Sequence, residues 1–148
     1  MSNNLNHIAL ILDGNKRWAK LNGFSNTNGY LKGFENIKKI VRHSLNKKLK
    51  NLTIFALSSE NYNRSTLNII YEIIYVNFSK IFDELVRDNG VKVKIFGSKK
   101  NLPIKIKDIF ENIENISSKN NKLNLNIAFN YGFKNEIRNI LLKIKENK

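Results

Sequence analysis

The chain has 148 residues, of which 41% are hydrophobic and 26% are charged, so it can bury the core of one domain. It contains no cysteine, which excludes disulfide bonds, thiolate catalysis and cysteine-ligated metal centres. The formal net charge of +14 favours an anionic partner, but the cations are 21 Lys and only 5 Arg. Because A/T-rich codons favour lysine, asparagine and isoleucine, codon bias explains the excess, and we expect no specific nucleic-acid partner.

Membrane and secretion signals are missing from the sequence. No apolar run approaches the roughly 20 residues that span a bilayer. The first residues do not form the basic segment and apolar run of a secretory signal. We therefore expect a single cytoplasmic domain over residues 1–148.

Four segments have the patterns of β-strands. Residues 7–12 (HIALIL) and 52–57 (LTIFAL) are mostly apolar, which predicts strands buried on both faces. Residues 91–96 (VKVKIF) alternate strictly, which predicts a more exposed strand, and residues 123–129 (LNLNIAF) form the fourth strand.

Four sets of apolar residues at three- and four-residue spacing predict helices, and Pro103 lies at the expected start of the third. The sets are Phe34, Ile37, Val41 and Leu45; Leu67, Ile70, Tyr71, Ile74, Phe78, Ile81, Phe82 and Leu85; Ile106, Ile109, Phe110, Ile113 and Ile116; and Ile137, Ile140, Leu141 and Ile144. The alternation predicts an α/β fold in which helices cover both faces of a parallel sheet.

Polar segments follow three of the predicted strands, at residues 13–18, 58–64 and 130–132. Ligands of such folds bind at the carboxyl ends of the strands, so we expect these segments to meet on one rim. The sequence has none of the nucleotide-binding or zinc-protease fingerprints. The aromatic residues of the second predicted helix fit the core and could also wall a lipid tunnel.

The first polar segment has the residue types of a phosphate site. Gly14 allows close backbone approach, and amides at a helix start can face an anion. Arg17 can chelate phosphate oxygens, and Asp13 can hold Mg²⁺. The alternative is an ordinary Asp-Gly turn in which Lys16 and Arg17 are solvated.

The second polar segment ends in another arginine. Arg64 can supply a second phosphate ligand, while Ser58 and Asn61 can hydrogen-bond to it or to substrate. Glu60 is expected to be structural. The alternative is a plain strand–helix connection in which Ser65 caps the following helix.

Three strings carry a family resemblance. Residues 7–19 (HIALILDGNKRWA) resemble the first signature of cis-prenyltransferases, the undecaprenyl diphosphate synthase family. Residues 58–64 (SSENYNR) are similar to the second signature, in which Trp usually replaces Tyr62, and residues 124–132 (NLNIAFNYG) resemble a third. The resemblance implies that family's fold and its reaction, the repeated condensation of isopentenyl diphosphate onto an allylic diphosphate.

The resemblance also implies residue roles. Asp13 would engage Mg²⁺ and the diphosphate, and Asn15 and Asn61 would be catalytic, Asn15 as a candidate for assisting proton removal. The implied allylic diphosphate pocket contains Gly14, Asn15, Arg17 and Arg64. Further residues implied to bind or position substrate are Lys16, Trp18, Ser58, Ser59, Glu60, Asn61 and Tyr62.

The chain departs from the family pattern in two ways. Asn26 and Tyr30 stand where the family usually has Arg and His, and the sequence stops at Lys148. In the family, the following region binds isopentenyl diphosphate, completes the Mg²⁺ site and forms much of the homodimer interface. We expect a shortened isoprenyl transferase that contacts the membrane at most peripherally, through its lipid product. The alternative is a non-catalytic partner subunit that keeps the allylic diphosphate pocket.

Overall fold

The computed structural model describes residues 5–62, 66–78, 82, 84–88 and 90–146. Four strands, β1 (His7–Ile11), β2 (Asn51–Ser58), β3 (Val91–Phe96) and β4 (Leu123–Tyr131), form one sheet in the order β1-β2-β4-β3. Every neighbouring pair is parallel, which confirms the predicted parallel sheet.

The helices are α1 (Asn15–Leu21), α2 (Asn26–Asn46), α3 (Leu67–Ile73), α4 (Ile104–Ser117) and α5 (Phe133–Glu146). A 3₁₀ turn, Ser59–Asn61, follows β2, and two π-helical turns, Ile74–Phe78 and Glu84–Asp88, follow α3. The second predicted helix therefore begins as expected but leaves α geometry after Ile73. Pro103 is the N-cap of α4. The N-cap of α3 is Thr66 and not the predicted Ser65, which, like Ile81, lies outside the described residues.

One face of the sheet carries the core. Alternate side chains of β2, β3 and β4 pack with α2, α3, α4 and the π-helical turns in one buried cluster. The cluster includes Ile37, Val41, Leu52, Ile54, Tyr71, Phe82, Val91, Val93, Ile106, Phe110, Leu123 and Leu125. Glu84 is paired with Lys38 and Arg42, which lowers the pKa of its carboxyl and ties the second π-helical turn to α2.

The opposite face of the sheet is polar at the amino ends of the strands and aromatic at their carboxyl ends, where Tyr131 packs edge-to-face against Phe55 and Phe96. The Asn124 side chain donates a hydrogen bond to Asn51 Oδ1 at 3.0 Å, and His7 is hydrogen-bonded to Thr53 at 2.8 Å. Helices on both faces are expected from the sequence; the large buried cluster of the described residues lies on the first face, and Ala128 is buried on the second. These amide and hydroxyl groups hydrogen-bond to one another or to solvent, so this part of the face needs no apolar cover.

β1 differs from its prediction. Burial on both faces is wrong for this strand, because His7, Ala9 and Ile11 are exposed, Ile11 by 77%. β1 pairs only with β2 and lies at the edge of the sheet, and its exposed residues share the polar face. β3, predicted to be half exposed, has that pattern and forms the other edge.

α4 covers the free edge of β3. The backbone N–H of Val93 donates to Ser117 Oγ at 3.0 Å, and that of Ile95 donates to Glu114 Oε1 at 2.8 Å. Strand N–H groups that point away from the sheet would otherwise be open to pairing with another chain. Two side chains of one helix thus replace the missing neighbour of β3.

α5 forms where the sequence predicts a helix, but every side chain from 133 to 145 is exposed. The exposed apolar residues are Phe133, Ile137, Ile140, Leu141, Leu142 and Ile144. Among the described helices, none has the length and apolar character needed to cross a bilayer.

Replacing Ser117 by alanine tests the edge contact. Ser117 is fully buried, so Ser117→Ala leaves the Val93 N–H without its acceptor. We expect the free energy of unfolding to fall by about 1–3 kcal/mol, the cost of an unsatisfied buried donor. Urea denaturation measures it, with the exposed neighbour Ser118→Ala as control. Equal effects of the two substitutions would contradict this account.

Candidate functional site

The chain turns sharply after β1 at Gly14, whose φ of 92° lies in the left-handed region that favours glycine. The Gly14 carbonyl accepts the Trp18 N–H at 2.8 Å and so begins α1. The Gly14 N–H donates to Asp13 Oδ1 at 2.6 Å. This turn fixes the Asp13 carboxylate at the start of α1.

Arg17 lies beside this carboxylate. Its Nη2 donates to Asp13 Oδ2 at 3.0 Å, and the two side chains are 76% and 78% exposed. An ion pair this exposed contributes little to stability. The guanidinium can therefore exchange Asp13 for the oxygen of a bound anion at small cost.

Two glycines of α2 bring α1 unusually close. A Cβ atom at Gly29 would lie 2.4 Å from the backbone oxygen of Asn15, and one at Gly33 would lie 2.5 Å from Asn15 Oδ1. Both distances are shorter than any ordinary contact. At Gly29 the obstructing atom belongs to the backbone, so only glycine permits this packing, whereas at Gly33 it belongs to the Asn15 side chain. Asn15 is held against the backbone of α2.

A polar cavity of about 260 Å³ opens between these elements. Its charged lining residues are Lys16, Arg17 and Asp13, and Asn15 and Asn61 add amide groups. The remaining lining residues are Leu12, Gly14, Tyr30, Ala56, Leu57, Thr66 and Ile70. Two cations and one carboxylate, with neutral donors around them, suit an anionic ligand.

An apolar cavity of about 90 Å³ adjoins the polar one. The two cavities share five lining residues, namely Leu12, Asn15, Tyr30, Ala56 and Ile70. The rest of the apolar cavity is lined by Gly33, Phe34, Ile37, Ile73, Ile74, Phe82, Phe110, Ile127 and Phe129. The pair of cavities matches a molecule with a charged head and an apolar tail.

The segment after β2 contributes one residue to the polar cavity. Ser58 Oγ accepts the Asn61 N–H at 3.2 Å, which caps the 3₁₀ turn and brings Asn61 to the cavity wall. Ser59 packs against Gly132, where a Cβ atom would lie 2.0 Å from Ser59 Oγ. Glu60 is exposed. The ends of β2 and β4 are therefore in direct contact.

Tyr62 lies outside the lining of the polar cavity. Its hydroxyl donates to the Asn101 carbonyl at 2.6 Å and accepts from the Tyr71 hydroxyl at 3.1 Å. Burial raises the pKa of the Tyr71 phenol, and the hydrogen bond to Tyr62 raises it further. Tyr62 thus links the segment after β2 to the loop after β3.

The third polar segment surrounds a second polar cavity of about 230 Å³. Asn130, at φ 52°, donates its side-chain N–H to the Ser98 carbonyl at 2.9 Å. Tyr131 donates to Glu136 at 2.5 Å, and this hydrogen bond raises the pKa of the phenol. The three segments share one rim as expected, but this one lines its own cavity.

The structure groups only part of the predicted site. Six predicted residues line the polar cavity: Asp13, Gly14, Asn15, Lys16, Arg17 and Asn61. Trp18 instead stacks on Phe24 with ring centroids 5.5 Å apart and is 40% exposed. Ser58, Ser59, Glu60 and Tyr62 have the positions given above, and Arg64 lies outside the described residues.

Sequence reasoning missed several lining residues. Tyr30 borders both cavities, and its hydroxyl lies 3.4 Å from Oγ1 of the buried Thr66. Asn26, the other position that departs from the family pattern, is exposed at the start of α2. The sequence signals at Tyr30 were its position between Gly29 and Gly33 and its place where the family usually has His.

A metal ion has one carboxylate available in the polar cavity. Among the described residues, no three acidic or histidine side chains form a metal cluster. Mg²⁺ is commonly held by one or two carboxylates together with waters and substrate phosphates. Asp13, which lines the cavity beside Lys16 and Arg17, fits that donor set as its one protein carboxylate.

Comparison with known proteins identifies the family. Residues 11–148 match the prenyltransferase family model described as undecaprenyl diphosphate synthase. The chain belongs to this family. It is 34% identical, over 146 residues, to an isoprenyl transferase of Fusobacterium nucleatum and 38% identical, over 133 residues, to one of Agrobacterium fabrum.

A solved structure shares the fold of this prenyltransferase family member. It is lavandulyl diphosphate synthase from Lavandula x intermedia in complex with dimethylallyl diphosphate, with a TM-score of 0.84 and 31% identity. The match covers 96% of this chain and 63% of that one. The bacterial matches cover 95% and 88% of this chain but 64% and 53% of the relatives. The chain thus spans between half and two thirds of their length.

Removing the Tyr62 hydroxyl tests the link beside the site. Tyr62→Phe breaks the bonds to Asn101 and Tyr71, so we expect about 1 kcal/mol of stability to be lost. Hydrogen exchange should also become faster in residues 98–102. Tyr131→Phe, which removes a hydroxyl bonded to the exposed Glu136, is the control and should leave that loop unchanged. Unaltered exchange in Tyr62→Phe would refute the link.

Proposed function

We propose that this chain binds an allylic diphosphate and forms the corresponding part of a Mg²⁺-dependent cis-prenyltransferase. The observation that carries the proposal is the polar cavity with Lys16 and Arg17 opening onto an apolar one. A diphosphate head fits the first cavity and the start of an isoprenoid tail fits the second. The dimethylallyl diphosphate in the lavender relative is a ligand of this class.

The residues of the polar cavity suit the chemistry of an allylic leaving group. Breaking the allylic C–O bond leaves a carbocation and a diphosphate that takes the electron pair. Arg17 and Lys16 stabilise the negative charge that develops on the departing oxygens, more strongly in the transition state than before it. Arg64 is proposed as a further ligand of this diphosphate.

Asp13 would hold Mg²⁺ beside the diphosphate. Bound there, the ion supplies Lewis-acid neutralisation of the leaving group. Asp13 also keeps Arg17 in place before ligand binds, because the two side chains are hydrogen-bonded at 3.0 Å. The carboxylate therefore has one role without ligand and another with it.

The complete reaction needs a second diphosphate. Isopentenyl diphosphate would attack the allylic carbon through its double bond and lose a proton, giving the extended product and free diphosphate. The curated relatives named isoprenyl transferases are longer than this chain, which covers 64% and 53% of them. The alternative is a partner subunit that binds the allylic substrate for a complete catalytic chain.

Arg17→Ala tests the head-group site. Calorimetric titration with farnesyl diphosphate in the presence of Mg²⁺ measures the binding free energy of the wild type and of the variant. We expect Arg17→Ala to weaken binding by about 1.5–3 kcal/mol. That is the contribution of a hydrogen bond to a charged group. Arg64→Ala is expected to act similarly. Lys20→Ala, which removes an exposed cation at the other end of α1, should leave affinity unchanged.

The same titration with farnesol or with inorganic diphosphate measures the contribution of each cavity to binding separately. Each carries half of the ligand, so each should bind more weakly than farnesyl diphosphate. Equal affinity of the wild type, Arg17→Ala and Arg64→Ala for farnesyl diphosphate would refute the site assignment.

Product formation tests the whole reaction. The 148-residue chain, incubated with labelled isopentenyl diphosphate and farnesyl diphosphate, should make no polyprenyl product. The reason is that proximity catalysis requires both substrates to be held together. Adding the part of the Fusobacterium relative that this chain does not match should restore turnover. Robust chain elongation by the purified chain alone would contradict this expectation.

A further inference from the structure

The packing of α1 on α2 puts one side chain in an unusual position. The three atoms nearest to a Cβ built at Gly33 all belong to the Asn15 side chain, with Oδ1 at 2.5 Å and Cγ and Nδ2 at 3.0 Å. The Asn15 amide therefore occupies the space that any other residue at position 33 would fill. The same side chain borders both the polar and the apolar cavity.

We propose that Gly33 is a positioning residue for the allylic diphosphate site. Because position 33 has no side chain, the Asn15 amide has room to lie at the junction of the two cavities. The inference rests on the proposed function. It assigns to Gly33 a role that acts through Asn15 and not through direct contact with the ligand.

The position of Asn15 depends on α2 because α1 itself is weakly fixed. α1 has seven residues, no side-chain cap at its start, and an exposed ion pair at its first turn. A Cβ atom at position 33 would push the amide by about 1 Å to reach ordinary contact distance. Because Asn15 borders both cavities, we expect this displacement to be into their junction, where the first carbons of a tail would lie. Displacements of this size near a reacting group can change rates by about a hundredfold.

Gly29 supplies a matched control on the same helix. A Cβ atom there would meet the backbone oxygen of Asn15 at 2.4 Å and the Cβ of Ala19 at 2.9 Å. Shortening the Asn15 side chain leaves both of those atoms in place. The two glycines are thus distinguishable by whether Asn15→Ala relieves the clash.

A double-mutant cycle on stability tests, without any ligand, whether the Asn15 amide occupies the space beside Gly33. In the wild type, Gly33→Ala should lower the urea midpoint, because the new methyl group displaces the amide. In the Asn15→Ala background the same substitution should raise the midpoint, since alanine favours a helix over glycine. Gly29→Ala should lower it in both backgrounds. If Gly33→Ala fails to fold, recovery of folding in the double variant is the equivalent result.

A comparison of ligands tests the positioning role. For Gly33→Ala, the Kd of farnesyl diphosphate should rise by about tenfold, while that of inorganic diphosphate should change by less than about threefold. A purely structural role would weaken both ligands alike, because the head-group cavity would be disturbed as a whole. Dimethylallyl diphosphate, with its shorter tail, should also be weakened, because the clash lies at the first carbons.

The outcomes separate the inference from the function. Wild-type chain that binds no farnesyl diphosphate would overturn the proposed function, and the positioning role with it. Normal binding by the wild type combined with additive effects of Gly33→Ala and Asn15→Ala would overturn the role of Gly33 alone. So would a double variant that stays unfolded, or an equal loss of affinity for farnesyl and inorganic diphosphate.

Discussion

The close approach of α1 to α2 is the constraint on which the site depends. Asn15 and Ala19 of α1 meet the backbone of α2 at Gly29 and Gly33, at distances that exclude a side chain. This contact fixes the direction in which the chain leaves the Asp13–Gly14 turn, and hence where the charged residues of the first turn point. It also leaves Tyr30, which lies between the two glycines, at the boundary of the polar and apolar cavities.

The two cavities are lined by different kinds of structural element. The polar cavity is built from the ends of β1 and β2 and the starts of α1 and α2, which are short, hydrogen-bonded and partly exposed. The apolar cavity is lined by core side chains, including Phe82, Phe110 and Phe129, which join α2, α4 and β4 in one buried cluster. A head group would therefore meet the exposed Asp13–Arg17 ion pair, and a tail would meet packed apolar side chains.

Some edges and apolar faces of the chain are covered and others are exposed. α4 satisfies the free edge of β3 with Ser117 and Glu114, whereas Ile11 on the edge strand β1 and the apolar stripe of α5 are exposed. Apolar exposure on this scale is unusual for a solvent-facing surface and marks contact surfaces. The chain spans between half and two thirds of the length of the relatives it matches.

The sequence by itself determined the four strands, most helix positions, the parallel sheet, and the grouping of Asp13, Gly14, Asn15, Lys16, Arg17 and Asn61. It could do so because periodicity and turn residues are local signals, and because parallel strands bring their carboxyl ends together. Only the tertiary structure decided that β1 is an exposed edge, that Trp18 and Tyr62 lie outside the cavity lining, and that Tyr30 borders it. These facts depend on strand order and on contacts between residues far apart in the chain, such as Asn15 with Gly33, which no local pattern encodes.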